Sequence, residues 1–204
     1  MLPGDLVIMV GQRRASNITL TISETGGQVW NALPILTGTN NISPRIFWCR
    51  FNGTWSADPS VAMTAASTNT VVMHVFRPPG RNYSWAIDVD QQTTAHAAAA
   101  TITRTGVTTI RPNTVTIAAW FTADDNSWGN LNDISGTGWV VTGEPQYRNR
   151  QGQDQSATFA HLIRTTAGNT GNVSKQQTQF GNDATRTAIV SFYCYRTNMP
   201  LYMF

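Results

Sequence analysis

The stretch WFTADDNSWGN, residues 120–130, concentrates the side chains best suited to chemistry. Asp124, Asp125 and Asn126 are hard oxygen donors set between Trp120 and Trp128, and Asn130 and Asp133 follow. Such donors suit calcium. A calcium loop, however, alternates its ligands and closes on a bidentate carboxylate, and that spacing is missing. The plainer reading is a β-turn in which Asp and Asn bond their own backbone. Trp55 in FNGTWSADPS, Trp85 in NYSWAIDV and Trp128 suggest a second chemistry, the stacking of indole faces on sugar rings. Indoles near turns also plug the ends of a β-sandwich, because large aromatics dominate burial. The ligand-loop residues are therefore Trp55, Asp124, Asp125, Asn126 and Trp128, with core packing as the competing role. No metal and no cofactor is assigned.

Other reactive groups lack a supporting pattern. Asp88 and Asp90 share a strand face if Asp88-Val89-Asp90 is extended, and paired carboxylates serve glycoside hydrolysis. Nothing in the sequence adds depth or orientation to that pair, so a solvated strand end is the simpler expectation. His74, His96 and His161 lie far from any zinc-ligand spacing. No serine sits in a G-x-S-x-G elbow. The glycine stretches at 136–139 and 168–172 precede strands, so they do not form a phosphate cradle at a helix N-terminus. Cys49 in FWCRF and Cys194 in FYCYR each lie mid-strand. Alternation puts Phe47, Cys49 and Phe51 on one face, and Phe192 with Cys194 on one face. Two buried free thiols are expected, with a single disulfide as the alternative.

The elements that position these groups read as strands. DLVIMV, NITLTI, RIFWCRF, VAMT, TVVMHVF, ATITR, TVTIAAWF, GWVVT, ATFAHLI, NVSKQQ and TAIVSFYCY are β-branched or alternating runs. Turn clusters such as GTNNISP, RPPGRN, ADDNSWGN and AGNTG separate them. Many short strands at this spacing predict an all-β antiparallel sandwich. Residues 69–77 and 113–121 both open Asn-Thr-Val, run apolar and are expected to be central strands. The best helix candidate is QQTTAHAAAA, residues 91–100, on its alanines alone. Nothing divides the chain, so one domain is expected over residues 1–196.

Charge narrows the partners. Only 12% of residues are charged, and the net charge is +3. Thirteen of the fourteen basic residues are arginine, and Lys175 is the one lysine. The arginines are scattered, which gives no electrostatic footprint for nucleic acid. Arginine without lysine fits planar pairing and stacking at interfaces. No apolar run reaches the roughly eighteen residues of a membrane helix, and the start lacks a signal-peptide pattern. The sequons at Asn17, Asn41, Asn52, Asn82 and Asn172 are compositional in a chain so rich in Asn, Ser and Thr. Residues 197–204 form an apolar arm. Pro200 stops a central strand, and Met199, Leu201, Tyr202, Met203 and Phe204 would be a sticky end unless docked, on the same chain or on a neighbouring copy.

Read in order, GDLVIMV, GGQVWNAL, RIFWCRF, TVVMHVFR, NTVTIAAWFTADDNSWG, GWVVTGEPQYRN, SATFAHLIRTTAGNTGNVS and TAIVSFYC resemble β-sandwich virion structural proteins of tailed bacteriophages, a family that includes some bacterial surface domains. The resemblance rests on Gly4-Asp5-Leu6-Val7, Trp30, Trp48, Ala167 to Gly171, and Ala188 to Phe192. It implies a jelly-roll-like sandwich in a virion, as a capsid decoration or tail-associated protein. It carries no catalytic residues. The expected partners are other copies of the chain and a capsid or tail protein, with no nucleic acid and no membrane. The alternative is a carbohydrate-binding or adhesion module that holds a surface glycan through exposed Trp and Asn/Asp loops.

Overall fold

The first strand, β1 (Leu6–Arg13), is buried along its whole length. An uninterrupted apolar run of this kind needs cover on both faces. Leu6, Ile8 and Val10 enter one core cluster, while Val7 and Met9 enter two smaller ones on the opposite face. The computed structural model describes residues 1–15, 18–23, 26–36, 41–64, 69–80, 82–143, 146–152, 154–179 and 181–197. The arm residues Met199, Leu201, Tyr202, Met203 and Phe204 lie outside the described residues, as does Asn17.

The fold is an all-β antiparallel sandwich. The first sheet is ordered β3-β4-β1-β6, with β3 at Asn31–Ala32, β4 at Arg45–Arg50 and β6 at Asn69–Phe76. The second is ordered β12-β14-β10-β17-β7, and β13 (Tyr147–Asn149) also pairs with β14. Its strands are β7 (Tyr83–His96), β10 (Thr114–Thr122), β12 (Val140–Val141), β14 (Gln155–Arg164) and β17 (Thr185–Arg196). Between the two sheets lie Ile46, Phe76, Ile117, Phe121, Phe159 and Phe192 with the inner residues of β1.

Both sheets carry a further layer. A third sheet, β11-β16-β8, covers the far face of the second. Its strands are β8 (Thr101–Arg104), β11 (Ser127–Asp133) and β16 (Val173–Gln179). Ile102, Trp128 and Val173 meet Ala118, Trp120, Leu162 and Ile189 there. This double cover explains why all nine residues of β10 are buried. A small pair, β2 (Leu20–Ile22) with β5 (Val61–Met63), covers the outer face of β1 and β4. Gly11 allows this pair to pack closely: a Cβ there would sit 2.8 Å from Val61 Cγ1. The remaining pair is β9 (Thr108–Thr109) with β15 (Gly168–Asn169).

Three expectations change. The alanine-bearing segment 91–100 is not helical: β7 runs to His96, because β17 offers it a partner as far as Thr185↔His96. Pairing with a long neighbour overrides a propensity of a few tenths of a kcal/mol per residue. Part of the ADDNSWGN turn is strand β11, so the turn proper closes before Ser127. Residues 69–76 form an edge strand rather than a central one, since β6 pairs only with β1. Residues 114–122 are central, between β14 and β17.

Both cysteines are free and buried. Cys49 lies on the outer face of the first sheet with Val7 and Phe51, whereas Cys194 belongs to the core between the sheets. The sheet separates them. Burial pushes the Cys49 thiol up to about 12 and the Cys194 thiol up to about 11.

Candidate functional site

The acidic turn leaves β10 and enters β11. The Asp125 N–H donates to Asp124 Oδ1 at 2.7 Å, the local bond expected of an Asp-rich turn. The fold brings Asp154, just before β14, to this turn, and carboxylate oxygens of Asp124, Asp125 and Asp154 lie within 4.8 Å of one another. Asp154 had no signal in the sequence, because it stands 29 residues beyond Asp125. Burial raises the Asp124 pKa. The Asp125 N–H opposes that, Asp183 and Asp125 add to it by repulsion, and Arg14 opposes it. Arg150 Nε meets Asp125 Oδ2 at 3.0 Å. Arginine thus already compensates part of this charge, and the cluster alone does not define a metal site.

The other members of the proposed loop lie elsewhere. Asn126 is fully buried and donates its amide to Gln177 Oε1. Trp128 is buried in the core under the third sheet, with its indole N–H on Ser156 Oγ at 3.0 Å. It has no free face for a sugar. Trp55 lies on the outside of the first sheet, edge-on to Phe51 at 5.0 Å and 5.7 Å from Trp30. Asp133 faces a different turn, accepting from the Gly138 N–H at 2.6 Å and the Trp139 N–H at 3.1 Å. Asn130 donates to Gln176 Oε1 at 2.8 Å. Neither joins the acidic cluster.

Asp88 is engaged by the backbone. Both Asp88 oxygens accept backbone N–H groups at 3.0 Å, from Ile110 and Arg111. Asp88 therefore ties β7 to the turn after β9, which is a structural use of a carboxylate.

The tryptophans divide by layer. Trp120, Trp128 and Trp139 fill the core under the third sheet. Trp30, Trp48, Trp55 and Trp85 gather around β4 and the segment leading to β3. A cleft of about 370 Å³ opens there at the mouth of the sandwich, between the β3–β4 edge and β7. Trp48, Arg50, Trp85, Asn31, Gln28 and Asn52 line it. Trp48 is half-buried against Phe192, with ring centroids 5.3 Å apart. Trp85 is fixed by its indole N–H on Gly4 O at 3.1 Å. Gln28 pins the wall: its Oε1 accepts from the Asn52 N–H at 2.9 Å and the Trp55 indole at 3.1 Å. Its amide donates to Arg50 O at 3.0 Å. Sequence reasoning missed this cleft. Of its lining residues only Trp85 is among the tryptophans singled out in the sequence for sugar stacking; alternation adds that Trp48 and Arg50 share one face of β4.

No family model, no curated protein and no solved structure matches this chain.

Proposed function

We propose that the chain is a non-enzymatic structural protein that works by pairing with copies of itself through the free edge of β6. The observation that carries this reading is an exposed apolar row on that strand. Val71, Met73 and Val75 are 43%, 44% and 38% exposed. Their cross-strand partners on β1 are Gly11, Met9 and Val7. The outer layer covers those partners, and the row next to them stays in contact with water.

An edge strand is a template for another chain unless charge, proline or brevity blunts it. The other edges of the two main sheets are blunted. β3 and β12 are two residues long, and β7 carries Asp88 and Asp90. Between Asn69 and Phe76 there is no acidic, lysine, arginine or proline residue. An antiparallel pair centred on Met73 would set Val71 opposite Val75 of the other copy, a self-complementary contact with two-fold symmetry. The non-enzymatic half of the reading is supported by the structural engagement of Asp88, Asp133 and Trp128. The sequence resemblance supplies the setting: a virion, with a capsid or tail protein as the second partner and the apolar arm at 199–204 as a second contact.

Sedimentation velocity tests it. The protein should sediment as a dimer or larger, and Val71→Lys with Val75→Lys should give a monomer whose melting temperature is unchanged, because exposed sites contribute little to the fold. A monomeric parent protein at high micromolar concentration would overturn the proposal. Co-purification with intact particles tests the setting.

A further inference from the structure

We infer that the cleft between the β3–β4 edge and β7 binds a sugar ring carrying a carboxylate, as in an acidic polysaccharide. Three observations converge on this class of ligand. The first is shape and surface: about 370 Å³ holds one or two sugar rings, and half-buried Trp48 gives the cleft an aromatic face, with the edge of the buried Trp85 behind it. The second is the polar complement. Asn31 pairs with Trp48 across β3 and β4, so its side chain stands on the same face. Asn31 is exposed, and its amide has no hydrogen-bond partner among the described residues. A planar amide beside an indole is the pairing that hydroxyl-rich rings use. The third is charge. Arg50 lies two residues after Trp48 on the same face. Its Nε donates to Tyr83 O at 3.1 Å, which orients the guanidinium. Among the described residues the ion pairs are Arg77–Asp5 and Arg150–Asp125, so Arg50 has no carboxylate partner.

The guanidinium of Arg50, standing in the cleft beside the indoles, favours an anionic ligand over a neutral one. Arg111 lies 4.6 Å from the Tyr193 ring and Arg45 donates to Leu33 O and Leu20 O. Arg50 is oriented at Nε only, and a guanidinium matches a carboxylate in a planar fork. The wall is already ordered, since Gln28 fixes Asn52, Trp55 and the Arg50 backbone. Binding therefore needs little rearrangement, which lowers its entropic cost. This site is independent of the β6 edge: Arg50 and Asn31 lie at the opposite edge of the first sheet.

The test uses the full chain, a short oligogalacturonate, and the same oligomer fully methyl-esterified, which keeps the rings and removes the charge. Titration is followed by calorimetry and by tryptophan fluorescence. The acidic oligomer should bind, and esterification or Arg50→Gln should each weaken it about tenfold or more, the loss expected for one charge-assisted contact. Asn31→Ala should weaken both oligomers. Both sites are on the surface, and a matching melting temperature confirms that each variant is folded. Equal binding of the acid and the ester would overturn the acidic assignment. Binding unchanged by both substitutions would place the ligand elsewhere and overturn the site. No binding of either oligomer at millimolar concentration would overturn the inference. The Val71→Lys, Val75→Lys protein should bind as the parent does, so a failure of self-association and a failure of this site are read separately.

Discussion

Mild acid should destabilise this protein through His74, a residue of β6 that points into the core. Its side chain is almost fully buried, 4.8 Å from the Phe159 ring and 6.3 Å from that of Tyr147. Its Nε2 is buried without a hydrogen-bond partner. Burial first, and repulsion from His161 second, push its pKa from the ordinary 6.5 down to about 4. The native state therefore keeps His74 neutral where the unfolded chain takes up a proton. Stability is fully present above the unfolded value and is lost as pH falls towards the folded one. Integrating that difference gives a loss of about 2 kcal/mol by pH 5 and about 3 kcal/mol by pH 4. His161 and His96 are also lowered, by burial first and for His96 by Arg104 as well, so they add to the same slope. The assay is urea unfolding at several pH values between about 7.5 and 4.5, on the parent and on His74→Phe. Phenylalanine keeps the aromatic contact with Phe159 and cannot titrate. The variant should lose about 2 kcal/mol less than the parent between neutrality and pH 5. Equal losses in the two proteins would refute the assignment of the acid sensitivity to His74.

Two further outcomes follow from the packing. Trp128→Ala should cost about 3–5 kcal/mol in chemical unfolding, whereas an indole serving as a ligand platform would cost little. Trp128→Phe keeps most of the packing and loses the bond to Ser156, for a smaller cost of about 1–2 kcal/mol. Cys49 and Cys194 should not react with a thiol reagent at neutral pH in the native state and should both react in urea, since burial keeps both thiols protonated; rapid native-state labelling would show that one of them is accessible.

The binding proposals meet at the first sheet. Its β6 edge offers backbone and an apolar row, a surface suited to a second copy of the chain. Its β3–β4 edge offers indole, amide and an uncompensated guanidinium, a surface suited to a small polar ligand. The exposed row at β6 follows from the limited outer cover: the second sheet is covered on each face, whereas the small β2–β5 pair covers the first only around β1 and β4. The cleft instead opens on the inner face, between the two sheets.

Strand content, antiparallel order and buried thiols were legible in the sequence because alternation has a local cause. Side chains two residues apart share a face, so the common face of Phe47, Cys49 and Phe51 follows from the string alone. The same local rule cannot say what lies beyond a face. TVVMHVF and TVTIAAWF read alike, yet β10 is sealed by sheets on both sides while β6 has one neighbour and an exposed row. Which strand becomes an edge depends on long-range pairing, here of β1 with β4 and β6. The segment QQTTAHAAAA illustrates the same limit, since its helical propensity is weaker than the pairing that β17 supplies. The candidate sites were still less legible. Asp154 reaches Asp124 and Asp125 only because β14 lies beside β10, and Asn31, Trp48, Arg50 and Trp85 meet only where two sheets diverge. Composition and periodicity determined that this chain is a β-sandwich rich in uncharged polar surface. Tertiary structure decided which tryptophans are core, which carboxylates hold turns, and which arginine stands in the cleft, because each outcome depends on neighbours distant in the chain.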